Sequence, residues 1–276
     1  MIETLPPEAT EAMIGRWATS SQGEGPPVIL IHGLGMNRHM WQWQWDALTP
    51  HFETVAYDLM GHGESDKPER RYEMSDFVDQ VIDVMDGYGF GHCALVGFSL
   101  GGMIARAVAL KCPERITALG ILHSAHDRTQ EERDAIMIRV NQARKDGPAA
   151  TIEAALERWF TPGFLANNPE MMDLIRRWVR SNSKAVYPES YRVLAEGDAE
   201  IAKGLETITC PALVLTAEED YGNSPDMSRR IAGAMPNAHA EILPGLRHMA
   251  LAEDPDAIIK WLLPFLKHVL IELADD

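Results

Sequence analysis

The sequence has little that would suit it to polyanions, bound metals or an oxidising compartment. Its basic side chains are outnumbered: 25 Lys and Arg stand against 41 Asp and Glu, a formal net charge of −16 over 276 residues. Nucleic-acid binding draws on a basic stripe that displaces counterions, and no such stripe is visible. The same deficit argues against anionic membrane surfaces. Cysteine is scarce. Cys93, Cys112 and Cys210 are odd in number, lie in or beside apolar runs and form no C-x-x-C pair, so they read as reduced core residues. No His-x-x-x-His or carboxylate pair has metal-ligand spacing. Neither Gly33-Leu34-Gly35 nor Gly61-His62-Gly63 completes a dinucleotide fingerprint. No metal and no cofactor is therefore expected. Long apolar runs are missing too. The stretch at 261–266 is too short to span a bilayer, and residues 1–10 carry Glu3, Glu8 and two prolines instead of a signal peptide's apolar segment. The expectation is a cytoplasmic protein with a small-molecule partner, no nucleic acid and no membrane; oligomeric state is not legible.

What the chain does have is a core-forming composition, 46% hydrophobic, at a length that suits one large α/β domain with an insertion. Short apolar runs at 28–31, 54–57, 93–96, 116–122, 212–216 and 240–243 read as strands. Helical stretches lie between them, one with Ser75 as its expected N-cap and Phe77, Val81, Val84 and Met85 on one face. Alternation of this kind predicts a mostly parallel sheet with helices on both faces. It breaks between Asp127 and Leu205, where the pattern stays helical for almost 80 residues. The expected organisation is a core of residues 1–126 and 206–276 with a helical lid at 127–205. The opening of the chain, up to Pro27, shows no clear hairpin pattern and is only loosely assigned.

The most informative motif is Gly97-Phe98-Ser99-Leu100-Gly101, G-x-S-x-G, between the run at 93–96 and a helix-like stretch that begins at Gly102. A sharp strand-to-helix turn holds its central serine in a strained backbone conformation, and only small flanking residues allow so tight a fold. The hydroxyl then stands above the sheet at a helix N-terminus, which favours negative charge. Ser99 is thus the candidate nucleophile. A serine needs a base, and the base works best when a carboxylate orients it. The strand at 212–216 delivers Glu218, Glu219 and Asp220 at its carboxyl end, and the loop after the last strand delivers His248. The order Ser99, Asp220, His248 is the one expected for an α/β-hydrolase.

At these residues the chain resembles the α/β-hydrolase superfamily over roughly 28–270. The similarity lies in His32-Gly33-Leu34-Gly35, in Asp58-Leu59-Met60-Gly61-His62-Gly63-Glu64-Ser65, in the Ser99 elbow, and in the loops of Asp220 and His248. The resemblance implies an α/β-hydrolase fold, a mostly parallel sheet with an inserted helical lid. It places the catalytic acid at Asp220, with Ala217 where relatives carry glycine; in some relatives the acid follows the preceding strand, which here offers Asp127. Backbone N–H groups of Leu34 and Leu100 are the expected oxyanion hole. His32 and His62, in glycine turns, are expected to hydrogen-bond backbone rather than transfer protons.

The lid segment Arg158-Trp159-Phe160-Thr161-Pro162-Gly163-Phe164 is similar to that of bacterial 3-oxoadipate enol-lactonases. It implies a carboxylic ester hydrolase acting on a small ester or enol-lactone. The alternatives are a carbon–carbon bond hydrolase of aromatic degradation, a cofactor-free perhydrolase or haloperoxidase, and a non-enzymatic ligand receptor. For the substrate pocket the candidates are Trp159, Arg158, Trp41 and Phe164, with Phe160 and Trp178 as further aromatics. Arg38, Arg128, Arg133, Arg139 and Arg144 compete with Arg158 to meet a substrate carboxylate.

Overall fold

A computed structural model describes residues 4–273; residues 1–3 and 274–276, the outer ends of the expected core, lie outside the described residues. The strands are β1 (Thr10–Ile14), β2 (Trp17–Gln22), β3 (Pro27–Ile31), β4 (Glu53–Tyr57), β5 (Cys93–Phe98), β6 (Ile116–Leu122), β7 (Ala212–Ala217) and β8 (Ala238–Leu243). They form one sheet in the order β1-β2-β4-β3-β5-β6-β7-β8, parallel from β4 through to β8 and antiparallel where β2 meets β1 and β4. The helices are α1 (Gln42–Leu48), α2 (Met74–Gly87), α3 (Leu100–Lys111), α4 (Gln130–Asp146), α5 (Ile152–Trp159), α6 (Pro162–Asn167), α7 (Pro169–Arg180), α8 (Tyr187–Glu196), α9 (Asp198–Ile201), α10 (Pro225–Ala234), α11 (Ala250–Glu253) and α12 (Pro255–Lys267). The α/β-hydrolase fold expected from the sequence is the fold observed.

The central strands are apolar along their whole length because both faces are covered. Every residue of β5 and of β7 is buried, as a parallel sheet with helices on both sides requires. One core cluster joins α2 and α3 to the sheet through Phe77, Val81, Met103 and Ile104; the other, on the opposite face, gathers Trp41, Trp45, Leu251 and Leu262. Between β6 and β7 the chain passes through α4 to α9 without a strand.

Two local features depart from the sequence reading. The chain opens with a hairpin, β1 to β2, turning at Gly15 (φ 59°). Four of the five β1 residues are exposed, so an edge strand of this kind shows no apolar alternation to find. The second concerns α2, which starts at Met74 rather than after Ser75. Its N-cap is Glu73, in a reciprocal capping box with Asp76. A glutamate seldom caps, which is why the serine two residues later draws the assignment.

The strand order places the site. From β3 the chain moves outward to β4, then returns to lay β5 on the other side of β3. A doubly wound sheet opens a crevice at such a switch point, outside the carboxyl ends of the strands. The loops after β3 and β5, which carry Gly33-Leu34-Gly35 and Ser99, face each other there. Among the described residues no helix is long and apolar enough to cross a membrane.

Candidate active site

Ser99 sits between β5 and α3 at φ 54° and ψ −111°, a conformation that costs about 1–3 kcal/mol and persists only where surroundings enforce it. The enforcement is visible. A Cβ on Gly97 would lie 2.2 Å from the Gly101 carbonyl oxygen, and one on Gly101 would lie 2.1 Å from that of Ile31. Neither position admits a side chain. The Ser99 N–H donates to Leu122 O at 2.8 Å, and the Ser99 carbonyl accepts from Ser124 Oγ at 2.9 Å. The end of β6 thus clamps the elbow from the side.

His248 lies in the loop between β8 and α11, with its Nδ1 2.7 Å from Asp220 Oδ2. Asp220 is buried at the end of β7, where its other oxygen accepts from the backbone N–H of Gly222 (3.2 Å) and Asn223 (3.0 Å). Burial by itself would raise the Asp220 carboxyl, but His248 beside it and hydrogen bonds from His123 and His248 outweigh burial and hold it well below its ordinary range. The carboxylate is therefore ionised and can only accept. Asp127, by contrast, is exposed, stands at φ 48° and pairs with Arg230 at 3.6 Å. The structure brings Asp220 to His248 and leaves Asp127 on the surface. Glu218 and Glu219 turn to Gly245 N–H and Arg247.

The Gly33-Leu34-Gly35 loop is held by both histidines that the sequence puts in glycine turns. His62 Nε2 accepts from the Gly35 N–H at 3.1 Å, and His32 Nε2 accepts from the Leu59 N–H at 2.9 Å. Each Nδ1 meets a backbone carbonyl, Gly33 for His32 and Met60 for His62. Burial drives both rings down, to about 4 for His32 and about 3 for His62, so both stay neutral. They fix the loop rather than carry protons. From the helical segment, Asn182 donates to the Gly35 carbonyl at 3.1 Å, a tie that nothing in the sequence pattern marks. Leu34 lines the pocket. Leu100 opens α3, where a first-turn N–H has no intrahelical partner.

These groups border one pocket that holds, together with the open solvent at its mouth, about 870 Å³ of empty space. Ser99, Asp220 and His248 all line it. No hydrogen bond joins Ser99 to His248 among the described residues; such pairs often tighten only with substrate. The opposite wall comes from α4, α5, α7 and α8, including Arg139, Arg158, Trp159 and Tyr191. Trp159 lies over His248 with ring centroids 6.2 Å apart, and its carbonyl accepts from the Met249 N–H at 2.8 Å, which ties α5 to the histidine loop.

Two expected pocket residues are elsewhere. Trp41 is fully buried in the core cluster with Trp45 and Leu48, because the N-terminal end of α1 turns its apolar face into the sheet. Phe164 stacks on Phe160, centroids 5.4 Å apart and nearly parallel, and packs within the helical segment instead of lining the pocket. Of the candidate arginines, Arg38 is buried against Asp58 (2.5 Å) and Glu64 (2.6 Å), Arg133 pairs with Asp198 and Arg144 with Glu189. Arg128 reaches Asp198 and Asn223. Among the described residues, Arg139 meets only the Tyr191 hydroxyl, at 3.0 Å.

A metal ion would find one grouping among the described residues: ligand atoms of His123, Asp220 and His248 lie within 4.8 Å of one another. Both imidazole Nδ1 atoms, however, already sit at hydrogen-bond distance from the same carboxylate oxygen, 2.7 and 3.1 Å. An ion held at the usual distance of about 2.1 Å from each ligand would have to push them apart, so the donor set fits a hydrogen-bonded triad better than a metal centre.

The chain matches the family described as alpha/beta hydrolase fold over residues 26–255. It is similar to the (E)-2-((N-methylformamido)methylene)succinate hydrolase of Acinetobacter baylyi, 30% identical over 237 residues, 86% of this chain and 89% of that protein. It is also similar to 3-oxoadipate enol-lactonase 2 of the same organism, 27% identical across 87% of this chain and 88% of that one. The crystal structure of the enol-lactonase from Burkholderia xenovorans LB400 superimposes with a TM-score of 0.85 at 27% identity, covering 93% of this chain and 99% of that chain. With the elbow, the sheet order and the matched span in agreement, the chain belongs to the α/β-hydrolase fold family and is a hydrolase of that type.

Proposed function

We propose that the protein is a serine hydrolase that cleaves a small ester or enol-lactone bearing a carboxylate, through an acyl-enzyme. His248, oriented by Asp220, takes the proton of Ser99 as its Oγ attacks the carbonyl carbon. The resulting oxyanion is met by the N–H groups of Leu34 and Leu100. His248 then gives its proton to the leaving oxygen, and water repeats the sequence to release the acid. The helices between β6 and β7 act as the lid that chooses the substrate while the sheet supplies the chemistry.

The observation that carries the substrate class is a pair of guanidinium groups on the pocket wall. Arg139 and Arg158 have no carboxylate partner among the described residues, yet both face the cavity that holds Ser99. Burial and then repulsion from Arg139 pull the Arg158 guanidinium below its ordinary range, and an anion bound between the two would relieve that repulsion. The similar hydrolase of Acinetobacter baylyi is named for a substituted succinate, which is itself a dicarboxylate.

The test compares a p-nitrophenyl hemisuccinate with p-nitrophenyl butyrate, a neutral ester of the same length. Wild-type kcat/KM should favour the acid, and Arg158→Met should lower that preference by about 10- to 100-fold, the scale of losing a hydrogen bond to a charged group. Equal rates on both esters in the wild type would leave the hydrolase reading standing and remove the carboxylate from it.

A further inference from the structure

Asp220 holds two histidines. His248 is one; the other is His123, at the carboxyl end of β6, whose Nδ1 lies 3.1 Å from the same oxygen, Oδ2, that binds His248. A single orienting carboxylate needs one imidazole partner, so the second calls for a reason. Packing alone does not supply it. His123 is fully buried with a left-handed backbone at φ 50°, a conformation uncommon for residues other than glycine. Its Nε2 is buried with no hydrogen-bond partner among the described residues, a cost that an apolar residue of similar size would avoid.

The backbone around it is anchored on both sides. The His123 N–H donates to Leu215 O at 2.7 Å, and its carbonyl accepts from Asn223 Nδ2 at 2.9 Å. The ring packs edge-on against His248, centroids 5.8 Å apart, and tilted against Phe98 at 5.9 Å. With the ring held among these contacts, Nδ1 is aimed at Asp220.

The tautomer follows from the partners. An ionised carboxylate accepts only, so Nδ1 carries the hydrogen and Nε2 is bare. Protonating Nε2 would put a second, unpartnered N–H and a charge into an apolar site. Burial keeps the ring neutral, lowering its affinity for a proton despite Asp220 nearby. His123 is thus placed as an N–H donor to Asp220, with burial disfavouring its charged form.

We propose that His123 is a positioning residue for the Asp220–His248 pair: by donating to the oxygen that binds His248, it weakens that oxygen's hold on the His248 proton and so sets the pH range over which His248 can act as base. The proposal rests on the triad reading above. The charged groups around the pair are few. From β7 and its loop comes Asp220, from β6 His123, from the β8 loop His248; the lid contributes Trp159, which is uncharged, and Arg128, which reaches Asn223 at 3.1 Å, while Arg158 shares the cavity. Asn223 Nδ2 in turn lies 3.4 Å from His248 Nδ1. Among the described residues only His123 adds a second side-chain donor to Asp220.

The sign is fixed by the chemistry. Without the His123 donor, Oδ2 is more basic and stabilises the imidazolium of His248 more strongly. His248 then keeps its proton to higher pH, and the acidic limb of any Ser99 reaction moves upward, by about half to one pH unit for one neutral hydrogen bond.

The experiment follows the rate at which a fluorophosphonate labels Ser99 between pH 4.5 and 9 in wild type, His123→Phe and His123→Asn. Phenylalanine keeps the ring and removes the donor. Asparagine places an amide N–H near the position of Nδ1 and tolerates the left-handed backbone. The expected result is an upward shift of the acidic limb in His123→Phe and a limb within about 0.2 unit of wild type in His123→Asn. A folded His123→Phe protein with the wild-type limb overturns the proposal. If His123→Phe does not fold, ¹⁵N-histidine-labelled wild type decides, beside the protected Nδ1–H signals that His32 and His62 give through their own backbone carbonyls: an exchange-protected Nδ1–H signal assigned to His123 supports the shared carboxylate, and its absence overturns it. Failure of the triad reading looks different, since Ser99 would then not be the labelled residue in the wild type.

Discussion

Replacing Ser99 with alanine is expected to abolish both turnover and covalent labelling while leaving the fold unchanged. In serine hydrolases with an intact triad, loss of the nucleophile lowers kcat by about a million-fold, and residual activity comes from the oxyanion donors and binding alone. Stability should hardly move. The strain at φ 54° resides in the backbone and is enforced by Gly97, Gly101 and the bonds to Leu122 and Ser124; alanine meets the same clamp. The measurement is mass spectrometry of the fluorophosphonate adduct beside p-nitrophenyl acetate kinetics and a thermal melt. An adduct that persists on another serine of the Ser99→Ala protein, with activity, moves the nucleophile elsewhere.

Why Ser99 is legible in the chain and the pocket is not comes down to range. The elbow is local: five consecutive residues, a strand before and a helix after, all within hydrogen-bond reach of one another. Central strands such as β5 and β7 are equally local signals, because burial on both faces leaves an unbroken apolar run. Asp220 and His248 sit 28 residues apart and are found through strand ends, where a parallel sheet collects its loops. Asp127 is the rival by the same rule, and only the fold shows it turned to the surface, where it pairs with Arg230.

Pocket residues obey no such rule. Trp41 and Trp159 are both aromatics at the ends of short helices, but one helix turns inward to the sheet and the other lies across the histidine loop. That choice depends on how helices pack in three dimensions, which periodicity does not encode. The arginines make the same point through charge. Arg38 and Arg158 look alike in sequence; in the fold Asp58 and Glu64 close on the first, and among the described residues no carboxylate pairs with the second. His123 escapes the sequence reading although a signal exists, a histidine at a strand's carboxyl end, in the same short loop as Asp127. Asn182 and Asn223 carry no signal, since asparagines in loops are common and their partners lie 147 and 100 residues away.

Changing Asp220 to asparagine is expected to lower kcat by about 10⁴-fold, whereas Asp127→Asn stays within about tenfold. The amide that replaces the carboxylate would turn its N–H toward His248 Nδ1, which must then accept, favouring the tautomer that carries hydrogen on Nε2 and cannot take the Ser99 proton. Asp127, exposed and paired with Arg230, has no path to that tautomer. The reverse ranking of the two variants would assign the orienting acid to the loop after β6.

A second readout separates loss of a proton partner from loss of structure. The folded-state affinity of Asp220 for protons is depressed: burial opposes this, but His248 and His123 together prevail. A depressed carboxylate contributes stability that is present above the unfolded-state value, about 3.9, and is lost as pH falls through the lower folded-state value. The wild type should therefore lose more stability than Asp220→Asn between about pH 4 and the acid end of its folding range. Near pH 7 the variant is the less stable of the two, because Gly222 N–H, Asn223 N–H and two imidazoles then face a neutral amide. Thermal melts of both proteins from pH 3 to pH 8 give the difference directly. A gap between their Tm values that stays constant across that range would mean that Asp220 carries no shifted proton affinity, and the electrostatic account of the triad would fail with it.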